Sequence, residues 1–195
     1  MVERMQYVDN VTYSYSGIFD FNSLLHALRN WAAHAGFEMR ELHGFGGASE
    51  TAVNISKTLS FVKEYSFMHS VELYLQVNGK KEEDIVLEIE GRRHSYDKGG
   101  LSFTLDGFHF SWLEHRTLWT TQTTYFYAIK TIFNKFFYKV FEHKYEESCL
   151  EAGQEIMEEL RMFFETQKNI AKMGGLDVGK EGADIIPEKY KVEVP

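Results

Sequence analysis

Eight histidines and a single cysteine are the residues of this 195-residue chain that could hold a metal ion or take part in nucleophilic catalysis. His26 and His34 fall on one predicted helix, where eight residues of spacing separate them by about 12 Å along the axis. His109 and His115 would share one face of an unbroken strand, but at about 20 Å apart. Neither pair has the spacing of ligands to one ion. We therefore expect no metal site and no cofactor.

Cys149 cannot form a disulfide within the chain, because it has no second cysteine to pair with. It lies in a predicted helix six residues after His143, a spacing that directs the two side chains to different faces. We expect a small buried apolar residue in a reducing compartment. The chain also lacks a GxSxG nucleophile elbow. These observations predict a protein that is not an enzyme.

The glycine-rich segment HGFGG, residues 43–47, invites comparison with a phosphate-binding loop. It lacks the GxGxxG spacing and the helix that would direct backbone amides at a phosphate. We expect a plain, exposed and flexible loop.

The segment EGRRHSYDKGG is the one notable basic cluster, and it includes Arg92 and Arg93. It could bind an acidic segment of a neighbouring molecule or be a solvated turn. The whole chain carries 29 acidic and 21 basic residues, a formal net charge of −8. Such a balance opposes a broad phosphate-binding surface, so we expect no nucleic-acid partner.

Length and composition favour one globular domain, because 44% hydrophobic and 15% aromatic residues are enough for a real core. We place this domain at residues 1–173 and an extended C-terminal tail at 174–195. The N-terminus has no signal-peptide pattern, and no run of about 18 apolar residues occurs. We expect cytoplasmic synthesis without a signal peptide, and a location within a larger particle if the protein leaves the cell.

The N-terminal elements are predicted to be a strand at residues 11–19 and an amphipathic helix of about four turns. Asp20 or Asn22 would cap the start of this helix, and Gly36 would end it. One face of the helix carries its large apolar side chains, namely Leu24, Leu25, Leu28 and Trp31, together with Ala32.

The middle of the chain predicts an antiparallel β-meander. A strand begins after Gly36, and strand character returns at residues 55–65 after the glycine-rich segment. Alternation of apolar and polar residues from Val71 onward is interrupted by Asn78-Gly79, Glu90-Gly91 and Lys98-Gly99-Gly100. We interpret these segments as turns between short strands, which then pair antiparallel.

Residues 120–173 change to helical periodicity. Gly153 lies inside this stretch, and a glycine costs about 1 kcal/mol against alanine in a helix. One long helix and two helices broken near residues 145–153 are both compatible with the pattern. The complete order predicts an α+β fold with an N-terminal strand and helix, a β-meander, a long C-terminal helix or helix pair, and an extended tail.

The segments YSGIFDF, NWAAHAGFE and VLEIEGRRHSYDKGGLSFTLDGF, in this order, resemble a group of small uncharacterised archaeal proteins. The matching residues are Tyr15 to Asp20, Trp31, and Glu90 to Gly99. The resemblance covers about residues 11–165 and implies a fold but no activity. The order of elements is also similar to the helix-grip arrangement of START-related lipid-binding domains.

The segment YFYAIKTIFNKFFYKVF, residues 125–141, is unusually aromatic. Lys130, Lys135 and Lys139 fall on one side of a helical wheel, so an aromatic arc covers the rest. This arc must be covered by the sheet of the same chain, by a lipid-like ligand, by a membrane surface or by another subunit. The acidic remainder of the chain makes the membrane the weakest of these.

We predict a non-enzymatic, self-associating structural subunit of an ordered assembly, such as a virion or a tube, whose partners are copies of itself. The candidate interface residues are Tyr125, Phe126, Phe133, Phe137, Phe141, Arg92, Arg93, Ile185, Ile186 and Tyr190. The alternative is a cytoplasmic helix-grip-like domain that binds an apolar small molecule or lipid. Its cavity would be lined by Trp112, Trp119, Phe126 and Phe133.

Overall fold

The computed structural model describes residues 2–49, 52–66, 69–89, 92–112, 139–174 and 180–183. In chain order the elements are β1 (Val2–Phe19), α1 (Phe21–Ala35), β2 (Glu38–Ser49), β3 (Ala52–Ser66), β4 (His69–Ile89), β5 (Arg92–Trp112), α2 (Lys139–Met173) and β6 (Lys180–Ala183). An N-terminal strand and helix, an antiparallel meander and a long C-terminal helix are therefore present, and the predicted α+β fold is confirmed.

The strands form one six-stranded sheet in the order β2-β3-β4-β5-β1-β6. Its centre is the β4–β5 hairpin, which pairs from His69 opposite Ser111 to Ile89 opposite Arg92. β1 pairs with β5 over almost its whole length and begins nine positions before the predicted strand. β6 pairs with residues 13–16 of β1. Part of the predicted tail therefore belongs to the sheet of its own chain.

Two of the three predicted glycine turns are wrong, because Asn78-Gly79 and Gly99-Gly100 lie inside strands β4 and β5. The glycines are needed there for close approach of the backbones. A Cβ on Gly79 would clash with Leu101 Cδ2, and one on Gly99 would clash with the Lys80 carbonyl oxygen. The chain reverses between Ile89 and Arg92, and the predicted Glu90-Gly91 turn lies outside the described residues.

The predicted flexible loop at residues 43–47 is also wrong, because this segment belongs to β2 and pairs with residues 54–58 of β3. Glycine weakens a strand, but it does not prevent pairing when the partner strand is itself held in a sheet. The ladder to β3 continues as far as Ser49 opposite Ala52.

The predicted boundaries of α1 are confirmed. An Asp20 carboxylate oxygen accepts hydrogen bonds from the backbone N–H of Asn22 at 3.0 Å and of Ser23 at 3.3 Å. At the other end Gly36 adopts φ 76°, a left-handed conformation that suits glycine at a helix C-terminus. Lys63 Nζ donates to the Ala35 carbonyl at 2.8 Å and satisfies one of the free carbonyls there.

α2 is continuous through Gly153, so a break near residues 145–153 does not occur. A Cβ at Gly153 would lie 3.2 Å from Val8 Cγ2, which shows that glycine lets this helix approach β1 closely. The helix has 35 residues and is therefore about 50 Å long. The helical prediction for residues 120–138 lies outside the described residues.

Both described helices pack on the same face of the sheet. The core between the helices and the sheet is aromatic, with the Phe164 ring 4.2 Å from Tyr15 and 5.6 Å from Phe103, measured between ring centroids. α1 contributes Trp31, whose ring lies 5.5 Å from that of Phe61 and whose Nε1 donates to Glu155 Oε2 at 3.3 Å. Neither described helix is long and apolar enough to cross a membrane.

Candidate functional site

A pair of histidines lies where β4 begins and β5 ends. In the hairpin register His69 is opposite Ser111, and His109 is opposite Val71. Residues two apart on a strand point to one face, so both imidazoles lie on the face that carries the helices. Their nearest nitrogens, His69 Nδ1 and His109 Nε2, are 3.1 Å apart. One nitrogen donates and the other accepts in this hydrogen bond.

One turn of α2 covers the histidine pair with an aromatic ring. The Tyr145 ring stacks on His69 with centroids 4.7 Å apart and on His109 with centroids 4.6 Å apart. Tyr65, at the end of β3, lies edge-on to Tyr145 at 5.4 Å. The Tyr65 hydroxyl is also hydrogen-bonded to the hydroxyl of Ser148. We call His69, His109, Tyr145, Tyr65 and Ser148 the histidine cluster.

Burial keeps the histidine pair neutral. The His109 side chain is only 1% exposed. This burial, together with the neighbouring His69, lowers the pKa of His109 from 6.5 to about 4. Burial also lowers the pKa of His69. At neutral pH both imidazoles are therefore uncharged, and His109 is shielded from any substrate in solution.

Cys149 lies beside the histidine cluster, one residue after Ser148. It is fully buried, as predicted. A Cβ added to Gly107 would lie 2.8 Å from its sulfur, so the helix and β5 are in close contact here. Burial raises the pKa of the Cys149 thiol to about 12. The thiol therefore stays protonated and is a poor nucleophile.

A second group of polar and aromatic side chains lies on the opposite face of the sheet. The Arg4 guanidinium carbon is 3.6 Å from the centroid of the Phe108 ring, a cation–π contact. The Tyr74 hydroxyl donates to Glu72 Oε2 at 2.5 Å. Burial and the Glu72 carboxylate raise the pKa of Tyr74 to about 12. These side chains contact one another on the sheet face that neither described helix covers.

The predicted interface residues are placed only in part. Arg92 and Arg93 are the first residues of β5, and Arg93 is exposed. Phe141 belongs to the first turn of α2. The remaining members lie outside the described residues, namely Tyr125, Phe126, Phe133, Phe137, Ile185, Ile186 and Tyr190. Of the predicted cavity residues, Trp112 ends β5, and Trp119 also lies outside the described residues.

Of the histidines considered from sequence as metal ligands, His115 lies outside the described residues. His26 and His34 are both exposed on α1, and His34 Nδ1 lies 2.7 Å from the Asn30 carbonyl oxygen. Within the described ranges no three His, Cys, Asp or Glu side chains are close enough to hold a metal ion. The partner that His109 does have, His69, was not singled out from the sequence.

Comparisons with known proteins give no relative. No protein-family model matches the chain, and neither a curated protein nor a solved structure is significantly similar to it.

Proposed function

We propose that this protein is a non-enzymatic structural subunit that associates with copies of itself in an ordered assembly, such as a virion or a tube. The observation that carries the proposal is strand β2, which lies at one edge of the sheet formed by the described strands. β2 is 12 residues long and has a strand neighbour on one side only among the described strands. The N–H and C=O groups along such an edge can pair with a strand from another chain.

The two edges of the sheet differ in how well they are protected. On the β1 side, β6 covers residues 13–16, and register shifts occur between Gln6 and Val8 and between Val8 and Val11. Asn10 has φ 52° in the same region. Bulges of this kind discourage pairing with another strand. β2 has one register shift, between Glu41 and His43.

Leu42 supports β2 as the contact strand. It lies at the register shift of β2, and its side chain is 44% exposed. A large apolar side chain on a partly unpaired edge favours association, whereas a lysine there is a common protection against it. The buried His109 and the buried, protonated Cys149 thiol support the non-enzymatic part of the proposal, because neither is presented to a substrate.

The mass of the full chain in solution, measured by light scattering after gel filtration, tests the proposal directly. We expect particles much larger than the 22.8 kDa chain, and negative-stain images with a regular shape. Each copy carries a net charge of −8, so added salt should favour assembly by screening repulsion. A monomer at all salt concentrations would contradict the proposal.

A matched pair of lysine substitutions tests the role of the β2 edge. Leu42→Lys should shift the protein towards the monomer, because a charge on the edge opposes strand pairing. Met162→Lys, on the exposed surface of α2, is the control, since Met162 is 57% exposed and lies away from the edge. If both variants assemble like the parent chain, β2 is not the contact.

The C-terminal tail gives a second test of self-association. β6 belongs to the sheet, so the chain is best shortened after Ala183. This removes Ile185, Ile186 and Tyr190, which we propose bind a neighbouring subunit. The shortened chain should remain folded by circular dichroism but lose assembly. Unchanged assembly would exclude the tail from the interface and leave β2 as the proposed contact.

The alternative, a domain that binds an apolar small molecule, has less support in the described part of the chain. The space between α2 and the sheet is occupied there by the packed rings of Tyr13, Tyr15, Phe103 and Phe164. Organic extraction of the purified protein followed by mass spectrometry tests this alternative. A stoichiometric lipid-like molecule in the extract would favour it over the structural role.

A further inference from the structure

We infer that the His69–His109 pair is an acid-sensitive latch, which holds the N-terminal turns of α2 on the sheet and releases them when the pair takes up protons. The inference concerns a local opening within one chain. It is independent of whether the protein assembles.

The packing of the N-terminal turns of α2 on the sheet requires uncharged imidazoles. The Tyr145 ring rests on both imidazoles, with interplanar angles of 21° to His69 and 16° to His109. A first proton would put a charge on rings packed under an aromatic side chain. A second would leave two N–H groups facing each other across 3.1 Å, where the hydrogen bond had been. Both steps weaken the contact between α2 and the sheet.

In the described part of the chain, the groups that face the pair come from four elements. β3 supplies Tyr65, and Lys63 Nζ lies 5.5 Å from the Tyr65 ring centroid. β1 supplies Met5, which is opposite His109 in the register, and β5 supplies Ser111, opposite His69. α2 supplies Tyr145, Ser148 and Cys149, with Glu146 on the same turn.

Among the described residues, no carboxylate has a recorded contact with either imidazole that would stabilise a protonated pair. Lys63 is a cation and disfavours a second positive charge nearby. Glu146 and Glu147 are the carboxylates of this turn; Glu146 Oε2 lies 3.4 Å from His143 Nδ1, and Glu147 is exposed. Burial is the first cause of the lowered pKa of both histidines, followed for His109 by the charge on His69.

The direction of the pH effect follows from these shifts. In the closed form the pKa of His109 is about 4, whereas in the open form it returns towards 6.5. The open form therefore binds protons more readily, and its population rises as the pH falls below about 6.5. For one such histidine the opening constant increases about tenfold for each pH unit until the pH approaches 4. Closure is strongest above pH 6.5.

Cys149 provides the probe, because it is the single cysteine of the chain and is fully buried beside the cluster. We would measure its reaction with 4,4′-dithiodipyridine between pH 7.5 and 5. Each rate is divided by that of the denatured chain at the same pH, which removes the pH dependence of the thiol itself. Protection of Cys149 should fall about tenfold per pH unit below pH 6.5. Constant protection across this range would overturn the inference.

A second thiol position separates local opening from global unfolding. Ala171 lies near the other end of α2, is 1% exposed and packs with Ile18 and Leu87. In a Cys149→Ala background, Ala171→Cys should keep its protection over the pH range in which Cys149 loses it. An equal loss at both positions would show that the whole domain unfolds and that the latch does not exist.

Two histidine substitutions test whether His109 causes the loss of Cys149 protection at low pH. His109→Phe keeps a planar ring and removes one proton site, so the fall in Cys149 protection should become shallower. His26→Phe, at an exposed position of α1, should leave it unchanged. An unchanged slope in His109→Phe would contradict the assignment. If that variant does not fold, an NMR titration of the parent chain decides, and a His109 pKa of 6 or higher would contradict the latch.

Discussion

Two parts of α2 contact the sheet through stacked rings, but the rings differ in chemistry. In the second half of the helix, Phe164 stacks on Tyr15 at 4.2 Å and lies 5.8 Å from Tyr13. In the first turns, Tyr145 stacks on His69 and His109 at 4.7 and 4.6 Å. The geometry is similar, yet only the second contact includes imidazoles, whose pKa is 6.5 when exposed and is lowered here by burial.

The difference shows how one helix can contact the sheet independently of pH in one part and in a pH-dependent way in another. Contacts between Phe164 and its neighbours depend on buried area and packing, which do not change with pH. Contacts around Tyr145 depend in addition on keeping two imidazoles neutral. Stability along α2 is therefore not expected to be uniform, and the first turns should open before the rest.

The largest expected effect comes from removing the apolar contact. Phe164→Ala should lower the free energy of unfolding by about 3–5 kcal/mol, because it leaves a large cavity among Tyr13, Tyr15 and Phe103. Urea unfolding measures this loss. The loss should be the same at pH 7.5 and pH 5.5, since no group at this contact titrates in that range.

The control for this substitution is Met162→Ala, two residues earlier on the same helix. Met162 is 57% exposed, so its truncation should change the stability by less than about 0.5 kcal/mol. A loss at Phe164 no larger than the loss at Met162 would mean that the aromatic stack does not hold α2.

A smaller effect is expected from crowding the contact near the histidine cluster. Gly107→Ala should destabilise the protein by about 1–3 kcal/mol, as overpacking in a filled core usually does. The added methyl group would lie 2.8 Å from Cys149 Sγ and 2.9 Å from Leu73 Cδ2. Urea unfolding at pH 7.5 measures the loss.

Cys149→Ala removes one of the atoms that the new methyl group would meet, so it provides the matched double variant. Gly107→Ala with Cys149→Ala should lose less stability than the two single losses added together, because the variants share a contact. Strict additivity would show that the first turns of α2 lie farther from β5 than the structure indicates.

Local signals in the sequence predicted the helices better than the strands. α1 has its capping aspartate, its apolar face and its terminal glycine within a short segment, and all three act as predicted. The glycines of the hairpin have two physical roles that look alike in sequence. Glycine permits a turn, and it also permits close approach of two backbones, as at Gly79 and Gly99. Only the partner strand distinguishes these roles.

The contact between His69 and His109 could not be predicted from the sequence either, because it depends on how two strands pair. His69 and His109 are 40 positions apart, and they meet because β4 and β5 pair without interruption from His69 opposite Ser111 to Ile89 opposite Arg92. A prediction of three turns between them gives a different register and hides the pair. Cys149 needed no such information, since a lone cysteine within a helical apolar stripe is usually buried. Its burial could therefore be predicted, whereas its neighbours could not.

The smallest expected effect comes from replacing a buried polar side chain in the apolar part of α2. Gln167 is 5% exposed, and its Oε1 has no hydrogen-bond partner among the described residues. A buried acceptor without a partner costs about 1–3 kcal/mol. Gln167→Met keeps the length of the side chain and should raise the free energy of unfolding by about 1 kcal/mol, as measured by urea unfolding. Gln154→Met, on the exposed side of the same helix, should change it by less than about 0.5 kcal/mol. A loss of stability in Gln167→Met, with Gln154→Met unchanged, would mean that the amide has a role in holding α2 and that this part of the contact is not purely apolar.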